Sequence, residues 1–196
     1  MAVLLGLNKD PHDNYKYSQS YETLAAVIRE VCHQGDVLRE LERFFSSVCL
    51  SVMVRNGDAH LKNFGVLYTH PGALETVQLA PVFDVTTTTA YEHYNPKSGQ
   101  ALVDRTLAIK MNKVKAYPDR RQLIEFGRKH CGIAAPGMII ERIAEAMSQA
   151  LSAHQARVDV ELFSTMQKEW DAGRAMALHD SVTPGMRRKP VVKPLA

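Results

Sequence analysis

The sequence has few of the features that mark cross-linked, repetitive or disordered proteins. It contains three cysteines and one tryptophan among 196 residues, and no two cysteines form a C-x-x-C pair. Few and scattered cysteines exclude a small disulfide-bonded scaffold and are typical of reduced thiols, so we expect a cytoplasmic protein. With 45% apolar and 23% charged residues, the composition also excludes collagen and a disordered chain. A single compact body is therefore expected.

Long hydrophobic runs are also missing. The longest nearly apolar stretch, residues 48–54, is far shorter than the ~20 residues that cross a bilayer. The apolar opening at residues 2–5 has no basic residue before it and runs quickly into Lys9 and Asp10, unlike an export signal. We therefore expect neither a membrane segment nor a leader.

Charge is distributed unevenly along the chain. The formal net charge is +3, but residues 181–196 contain four basic residues and no acidic one, which leaves the rest nearly neutral. Such a proline-containing basic tail is most often a solvated end, although it could touch an acidic partner. A near-neutral body is expected to contact DNA only indirectly, through a partner.

Apolar periodicity predicts a mainly α-helical fold with one small β-hairpin. Residues 1–19 show no period and are interpreted as an irregular lead-in to a body at residues 20–180. Ser20, Asp36 and Asp119 are expected as N-caps, and Pro136 as a first-turn proline. The predicted helices cover residues 21–33, 37–53, 120–129, 136–157 and 160–177. The hairpin is predicted from residues 64–68 and 76–79, and residues 106–111 are expected to be extended.

Unusual polar residues are concentrated around this hairpin. Asp58 and Asn63 are five positions apart, which is the spacing of the catalytic Asp and the metal-binding Asn in protein kinases. Asp84 follows the hairpin, where a kinase has its main metal-binding carboxylate. Because the hairpin folds the chain back, Asp84 and the loop can face one site. Carboxylate and amide oxygens are the hard ligands that Mg²⁺ prefers.

Each of these residues also has an ordinary structural interpretation. The pattern D-x-x-x-x-N occurs by chance, Asp58 can be a turn residue after a helix, and Asn63 a turn residue before a strand. The threonines at residues 86–89 could accept phosphate, but such a run is more often a hydrogen-bonded turn. The two polar clusters separated by one hairpin favour the catalytic interpretation.

Two motifs give a family resemblance. Residues 56–64 read N-G-D-A-H-L-K-N-F and residues 79–84 read L-A-P-V-F-D. Both resemble the HipA family, the serine/threonine kinase toxins of bacterial toxin–antitoxin pairs, and the similarity extends over about residues 16–132. The loop pattern also occurs in phosphoinositide-type kinases, whereas the second motif favours the HipA family. The resemblance implies the C-terminal lobe of a kinase-like fold that transfers phosphate from ATP to a protein serine or threonine.

The resemblance also assigns roles to particular residues. Asp58 would be the catalytic aspartate, and Asn63 and Asp84 would hold Mg²⁺ and its nucleotide. His60 and Lys62 match the family loop and would either stabilise phosphate charge or lock the loop. For His60, a buried histidine bonded to a backbone carbonyl is an equal alternative.

One part of the kinase pattern is not found. A kinase needs a glycine-rich loop and a strand lysine in an N-terminal lobe of about 60 residues, whereas helices occupy most of the 57 residues before Asp58. The first hypothesis is a half-kinase whose other lobe comes from a separate chain or was lost from this reading frame. The second is an inactive module that docks a HipB-like antitoxin or a DNA-bound repressor, and the third is a folded remnant. The family suggests an aminoacyl-tRNA synthetase as the protein substrate.

Overall fold

The computed structural model describes residues 1–7, 14–32, 34–94 and 99–180. The predicted basic tail at residues 181–196 lies outside them. The described body is mainly helical, as predicted, and its α-helices are α1 (Tyr21–Val31), α2 (Val37–Met53), α3 (Arg120–Lys129), α4 (Pro136–His154) and α5 (Val160–Leu178).

Local capping explains where these helices begin. Ser20 accepts a hydrogen bond from the Thr23 amide at 3.3 Å, and Asp36 accepts one from the Arg39 amide at 3.1 Å. Asp119 forms a reciprocal capping box with Gln122 at the start of α3. All three predicted N-caps are therefore confirmed.

Two helices end earlier than predicted. Helix α1 ends at Val31 with Cys32 as its C-cap, and α4 ends at His154, before a 3-10 turn at Gln155–Arg157. Helix ends fray into such turns because their last carbonyls lack intrahelical partners.

Short antiparallel strand pairs interrupt the helices. The predicted hairpin pairs β1 (Val66–Leu67) with β2 (Gln78–Leu79), which is shorter than expected. Two further pairs were not predicted. They join β3 (His93–Tyr94) to β4 (Ala101–Leu102) and β5 (Thr106–Met111) to β6 (Val114–Ala116). The extended segment at β5 is confirmed, and it reverses through Asn112 and Lys113, whose positive φ angles of 49° and 68° are those of a two-residue hairpin turn.

Helix α2 is the centre of the core, as its apolar pattern predicts. It packs against α1, α4, α5 and β2. At its middle, the Phe44 ring lies 5.3 Å from the Phe64 ring and 6.3 Å from that of Phe126, in edge-to-face geometry. Because Phe64 follows Asn63 directly, this aromatic packing anchors the polar loop against the core.

The described helices include none that is long and apolar enough to cross a membrane. Cys32, Cys49 and Cys131 are all buried free thiols. Burial raises the pKa of Cys131 to about 12 and raises those of the other two thiols, so the three side chains act as small core residues.

Candidate functional site

The polar loop begins with a sharp exit from helix α2. The Asn56 amide donates to the Ser51 carbonyl at 2.8 Å and the Arg55 amide to the Val52 carbonyl at 3.3 Å, which together form a Schellman motif. Arg55 has a φ of 60°, at the position where glycine is usual. Its guanidinium lies 4.8 Å from the centroid of the Tyr117 ring, so a packed side chain accompanies the left-handed backbone.

Hydrogen bonds then hold the turn at Gly57. The Asn56 side-chain oxygen accepts from the Asp58 amide at 3.0 Å. The Thr88 hydroxyl accepts from the Gly57 amide at 2.7 Å and donates to the Arg55 carbonyl at 3.0 Å. The threonine segment at residues 86–89 enters a 3-10 turn, Thr88–Ala90. Its contacts are those of a hydrogen-bonded turn, the more common of the two interpretations given above. Thr88 thus ties this segment to both sides of the loop.

Asp58 is exposed at the rim of an open pocket of about 550 Å³. Its Oδ1 accepts a hydrogen bond from the Tyr17 hydroxyl at 3.0 Å. The pocket is lined by Tyr17, Gly57, Asp58, Thr88, Tyr91, Asp104, Thr106, Leu107, Ala108 and Lys115. An exposed carboxylate beside a cavity of this size can meet a hydroxyl group of an incoming ligand.

Asn63 and Asp84 meet as the sequence predicts. Asn63 Nδ2 donates to Asp84 Oδ2 at 2.5 Å, and Asn63 Oδ1 accepts from the His60 amide at 2.9 Å. The φ of Asp84 is 55°, and its carbonyl accepts a long 3.4 Å hydrogen bond from Asn56 Nδ2. The loop and the segment after the hairpin therefore share two side-chain contacts.

Glu40 positions the hairpin that carries Asp84. Its side chain is buried, and Oε2 accepts from the Leu79 amide at 2.7 Å and from Arg43 Nη1 at 2.9 Å. A buried carboxylate needs such partners, because an unpaired one would lose its hydration without compensation. Glu40 therefore fixes β2 on helix α2, five residues before Asp84.

His60 and Lys62 face different surroundings. His60 is buried, and burial lowers the pKa of its imidazole, which favours a neutral ring at neutral pH. Its Nδ1 has no hydrogen-bond partner. A neutral ring supports a loop-packing role better than phosphate neutralisation. Lys62 is exposed, with Nζ 5.4 Å from the centroid of the Tyr15 ring.

The donor chemistry of Asn63 and Asp84 fits a magnesium ion. Both side chains supply hard oxygens, and the Asn63 oxygen, which already accepts one amide, has a second lone pair. Mg²⁺ commonly takes only one or two carboxylate ligands from a protein and completes its shell with phosphate and water. Groups of three or more His, Cys, Asp or Glu residues suited to a metal are not found among the described residues. The pair therefore resembles a site for Mg²⁺ carried by a phosphate ligand more than a closed metal cage.

The structure brings the predicted residues into one region and adds others. Asp58, His60, Lys62 and Asn63 lie on one loop, and Asp84 reaches it from the hairpin. Sequence reasoning missed the roles of Tyr17, Glu40, Asn56 and Thr88. Asn56 had a signal, because it is the first residue of the loop motif at residues 56–64. Tyr17, Glu40 and Thr88 lie within the longer segment of resemblance but outside both motifs, so nothing in the sequence indicated these roles.

Comparison with known proteins gives two matches. A family model described as the HipA-like C-terminal domain matches residues 1–155. A curated protein of Sinorhizobium fredii named "Putative kinase Y4mE" is 32% identical over 77 residues. The aligned segment is 39% of this chain and 16% of that relative, so the match spans only a small part of the relative's length.

Proposed function

Because the chain belongs to the family of HipA-like C-terminal domains, we propose that it carries the phosphoryl-transfer site of a serine/threonine protein kinase that uses Mg²⁺ and ATP. The observation that carries this proposal is the 2.5 Å hydrogen bond between Asn63 and Asp84, with Asp58 on the same loop as Asn63. The name of the matched relative, which contains the word kinase, agrees with it.

In this proposal the residues of the loop divide the work. Asp58 orients the substrate hydroxyl and accepts its proton as the hydroxyl oxygen bonds to the terminal phosphorus of ATP, while the bond from that phosphorus to the bridging oxygen breaks and ADP leaves. Asn63 and Asp84 would hold the nucleotide's Mg²⁺, and the ion would supply positive charge to stabilise the phosphate oxygens. His60 packs under the loop, and Lys62 offers a cation near its outer edge.

The kinase reaction also requires a lobe that covers the nucleotide. We propose that another segment or a separate chain supplies it, and that a HipB-like antitoxin is a second partner of this toxin-type kinase. A translation component such as an aminoacyl-tRNA synthetase is the proposed substrate. Any DNA contact would then be made through the antitoxin.

A second candidate function is an inactive docking module. Three apolar residues next to Asp84 are strongly exposed, namely Val82 at 51%, Phe83 at 47% and Val85 at 37%. Isolated exposed apolar residues are common, but three within four positions mark a surface that a partner could bury. In this alternative, the HipB-like antitoxin binds to this surface, and the chain transfers no phosphate.

Calorimetric titration of Mg-ATP into the chain tests the first function. We expect saturable, Mg²⁺-dependent binding, and Asp84→Ala is expected to weaken it by at least about tenfold because a metal ligand is lost. The substitution removes an exposed carboxylate and little core volume, so the fold should persist, which circular dichroism checks.

Glu145→Ala is the matched control, because Glu145 is an exposed acid on helix α4. It should bind Mg-ATP like the unmodified chain. Normal affinity in a folded Asp84→Ala variant would refute the assignment of Asp84. If the unmodified folded chain binds no Mg-ATP, either the chain is a docking module or nucleotide binding requires the covering lobe. Co-purification of partners distinguishes these two explanations.

A further inference from the structure

Tyr17 reaches the predicted catalytic loop from a distant part of the chain. Its hydroxyl donates to Asp58 Oδ1 at 3.0 Å, although the two residues are 41 positions apart. Its ring also meets the His60 ring edge to face, with centroids 5.4 Å apart and planes inclined by 62°. Tyr17 ends the 3-10 turn Asn14–Tyr17, so this turn packs against the loop at two positions.

The Tyr17 ring is held in place by charges as well as by His60. Lys16 Nζ lies 5.0 Å and Lys115 Nζ lies 5.7 Å from the ring centroid, within the range of cation–π attraction. A ring with three such neighbours loses little further freedom when its hydroxyl binds a carboxylate. The hydrogen bond therefore restrains Asp58 more than it restrains Tyr17.

Asp58 needs such a restraint because its side chain is exposed. Packing does not select one rotamer for an exposed aspartate, whereas phosphoryl transfer depends on accurate placement of the group that orients the hydroxyl. The hydrogen bond from Tyr17 occupies Oδ1 and leaves Oδ2 to accept a hydrogen bond from the substrate hydroxyl. Both residues line the same pocket of about 550 Å³.

We propose that Tyr17 is a positioning residue that holds the Asp58 carboxylate by Oδ1, so that Oδ2 accepts the proton of the substrate hydroxyl in the adjoining pocket. This inference rests on the proposed kinase function. Tyr17 itself neither donates nor accepts a proton in the transfer. Burial and the bond to Asp58 raise the pKa of the Tyr17 phenol, which keeps it a hydrogen-bond donor at neutral pH.

The kinetic test is Tyr17→Phe, measured with the segment or partner that supplies the covering lobe present. The substitution removes the hydroxyl and keeps the ring between its neighbours. We expect kcat to fall about tenfold or more, because a hydrogen bond to a charged group is lost and the carboxylate can rotate. The KM and the Kd for Mg-ATP should stay within about twofold, since Tyr17 bonds to neither Asn63 nor Asp84. An unchanged kcat would overturn the proposal.

Tyr68→Phe is the matched control for this substitution. Tyr68 is exposed, follows β1 and does not line the pocket beside Asp58. Its kcat and KM should equal those of the unmodified chain. If kcat fell as much in Tyr68→Phe as in Tyr17→Phe, the effect would reflect a general loosening of the fold. The positioning role of Tyr17 would then be rejected.

A second measurement needs no kinase activity. In NMR titrations of the chain labelled with ¹³C-tyrosine, the Tyr17 signal is identified by its loss in Tyr17→Phe. The pKa of Tyr17 should fall in Asp58→Asn, because the carboxylate raises it, whereas Lys16 lowers it. An unchanged pKa of Tyr17 in Asp58→Asn would contradict the hydrogen bond between the two residues and overturn the positioning role. If the chain transfers no phosphate even when combined with the segment or partner that supplies the covering lobe, the proposed function is refuted, whereas this titration still decides the hydrogen bond.

Discussion

At the scale of single residues, the site contains backbone conformations that cost energy. Arg55 and Asp84 both have positive φ angles, 60° and 55°, and the left-handed region costs an L-residue other than glycine roughly 1–2 kcal/mol. Each is held by its surroundings, Arg55 by Tyr117 and Asp84 by Asn56. Such conformations persist where neighbouring contacts determine the backbone, and they are concentrated at functional sites.

The role of Asp58 can be tested by Asp58→Asn. The amide keeps the size of the side chain and an oxygen that can accept from Tyr17, but it cannot take a proton. We expect phosphoryl transfer to fall by about 10²-fold or more, since general-base catalysis contributes that much. Mg-ATP affinity should change by less than about twofold.

Single-turnover transfer and calorimetric binding measure the two effects of Asp58→Asn separately. Asp180→Asn, which neutralises an exposed acid after helix α5, serves as the control for a lost charge. Equal losses of transfer and of binding in Asp58→Asn would contradict a role confined to the substrate hydroxyl.

At the scale of elements, helix α5 packs against the end of α2 and the threonine segment, which both adjoin the site. A Cβ on Gly173 would lie 2.1 Å from the Met53 carbonyl oxygen, so α5 touches the backbone at the end of α2. Trp170 Nε1 also donates to the Thr87 hydroxyl at 2.8 Å, next to the residue that holds the Gly57 amide. Helix α5 lies beyond residues 1–155, which the family model matches. The contacts of α5 therefore come from a part of the chain outside the matched region.

Gly173→Ala tests the close contact between α5 and α2. The added methyl group must displace backbone, and overpacking of this kind typically costs about 1–3 kcal/mol of the free energy of unfolding. Alanine's better helix propensity offsets only part of this cost. Urea denaturation followed by circular dichroism measures the change.

The control for Gly173→Ala is Ala172→Ser, at the neighbouring exposed position of the same helix. Its free energy of unfolding should change by no more than about 0.5 kcal/mol. A Gly173→Ala variant as stable as this control would mean that α5 can move away from Met53 without cost.

At the scale of the whole molecule, an ion pair between the exposed Arg105 and the buried Glu169 joins distant parts of the chain. Arg105 donates to both carboxylate oxygens of Glu169, at 2.7 and 2.8 Å, across 64 residues. Only 4% of Glu169 is exposed. The hydrogen bonds from Arg105 lower the pKa of Glu169 below its ordinary value of 4.5. The pair thereby connects α5 to the segment before β5, which lines the pocket.

This ion pair predicts an acid-dependent loss of stability. Because the pKa of Glu169 is lower in the folded state, the unfolded chain binds more protons as the pH falls below about 4.5. The stabilisation is thus present above that pH and decreases as the folded carboxylate becomes protonated. Thermal unfolding between pH 3 and pH 7 measures it.

Glu169→Gln should flatten this part of the pH profile, since its amide does not titrate. It should also lower the melting temperature at pH 7, because Arg105 loses a charged partner. Glu145→Gln, at an exposed position, should retain the slope of the unmodified chain. If Glu169→Gln retained that slope, other carboxylates would be responsible for the acid sensitivity.

Local signals in the sequence predicted much of the fold. Ser20, Asp36 and Asp119 cap helices within three residues of themselves, and the turn at residues 55–58 ends α2, so short-range chemistry was sufficient. The predicted family membership is confirmed as well. It could be predicted because each of the two motifs is contiguous in the chain. The pairing of Asn63 with Asp84 was predicted from one hairpin between them. The pair β3–β4 was missed because two residues carry too little periodicity, and β5 was predicted without its partner because β6 has only three residues.

Local patterns along the chain were therefore sufficient to predict the helices, their caps and the identity of the loop residues. Tertiary structure alone decided which distant groups meet them. Tyr17, Glu40 and Thr88 bond to partners 41, 39 and 31 residues away. Propensity and capping act within about one helical turn, whereas such contacts arise only when packing of α2 brings separate segments together. For that reason the loop could be identified from its sequence, whereas the residues that hold it in place could be identified only in the folded chain.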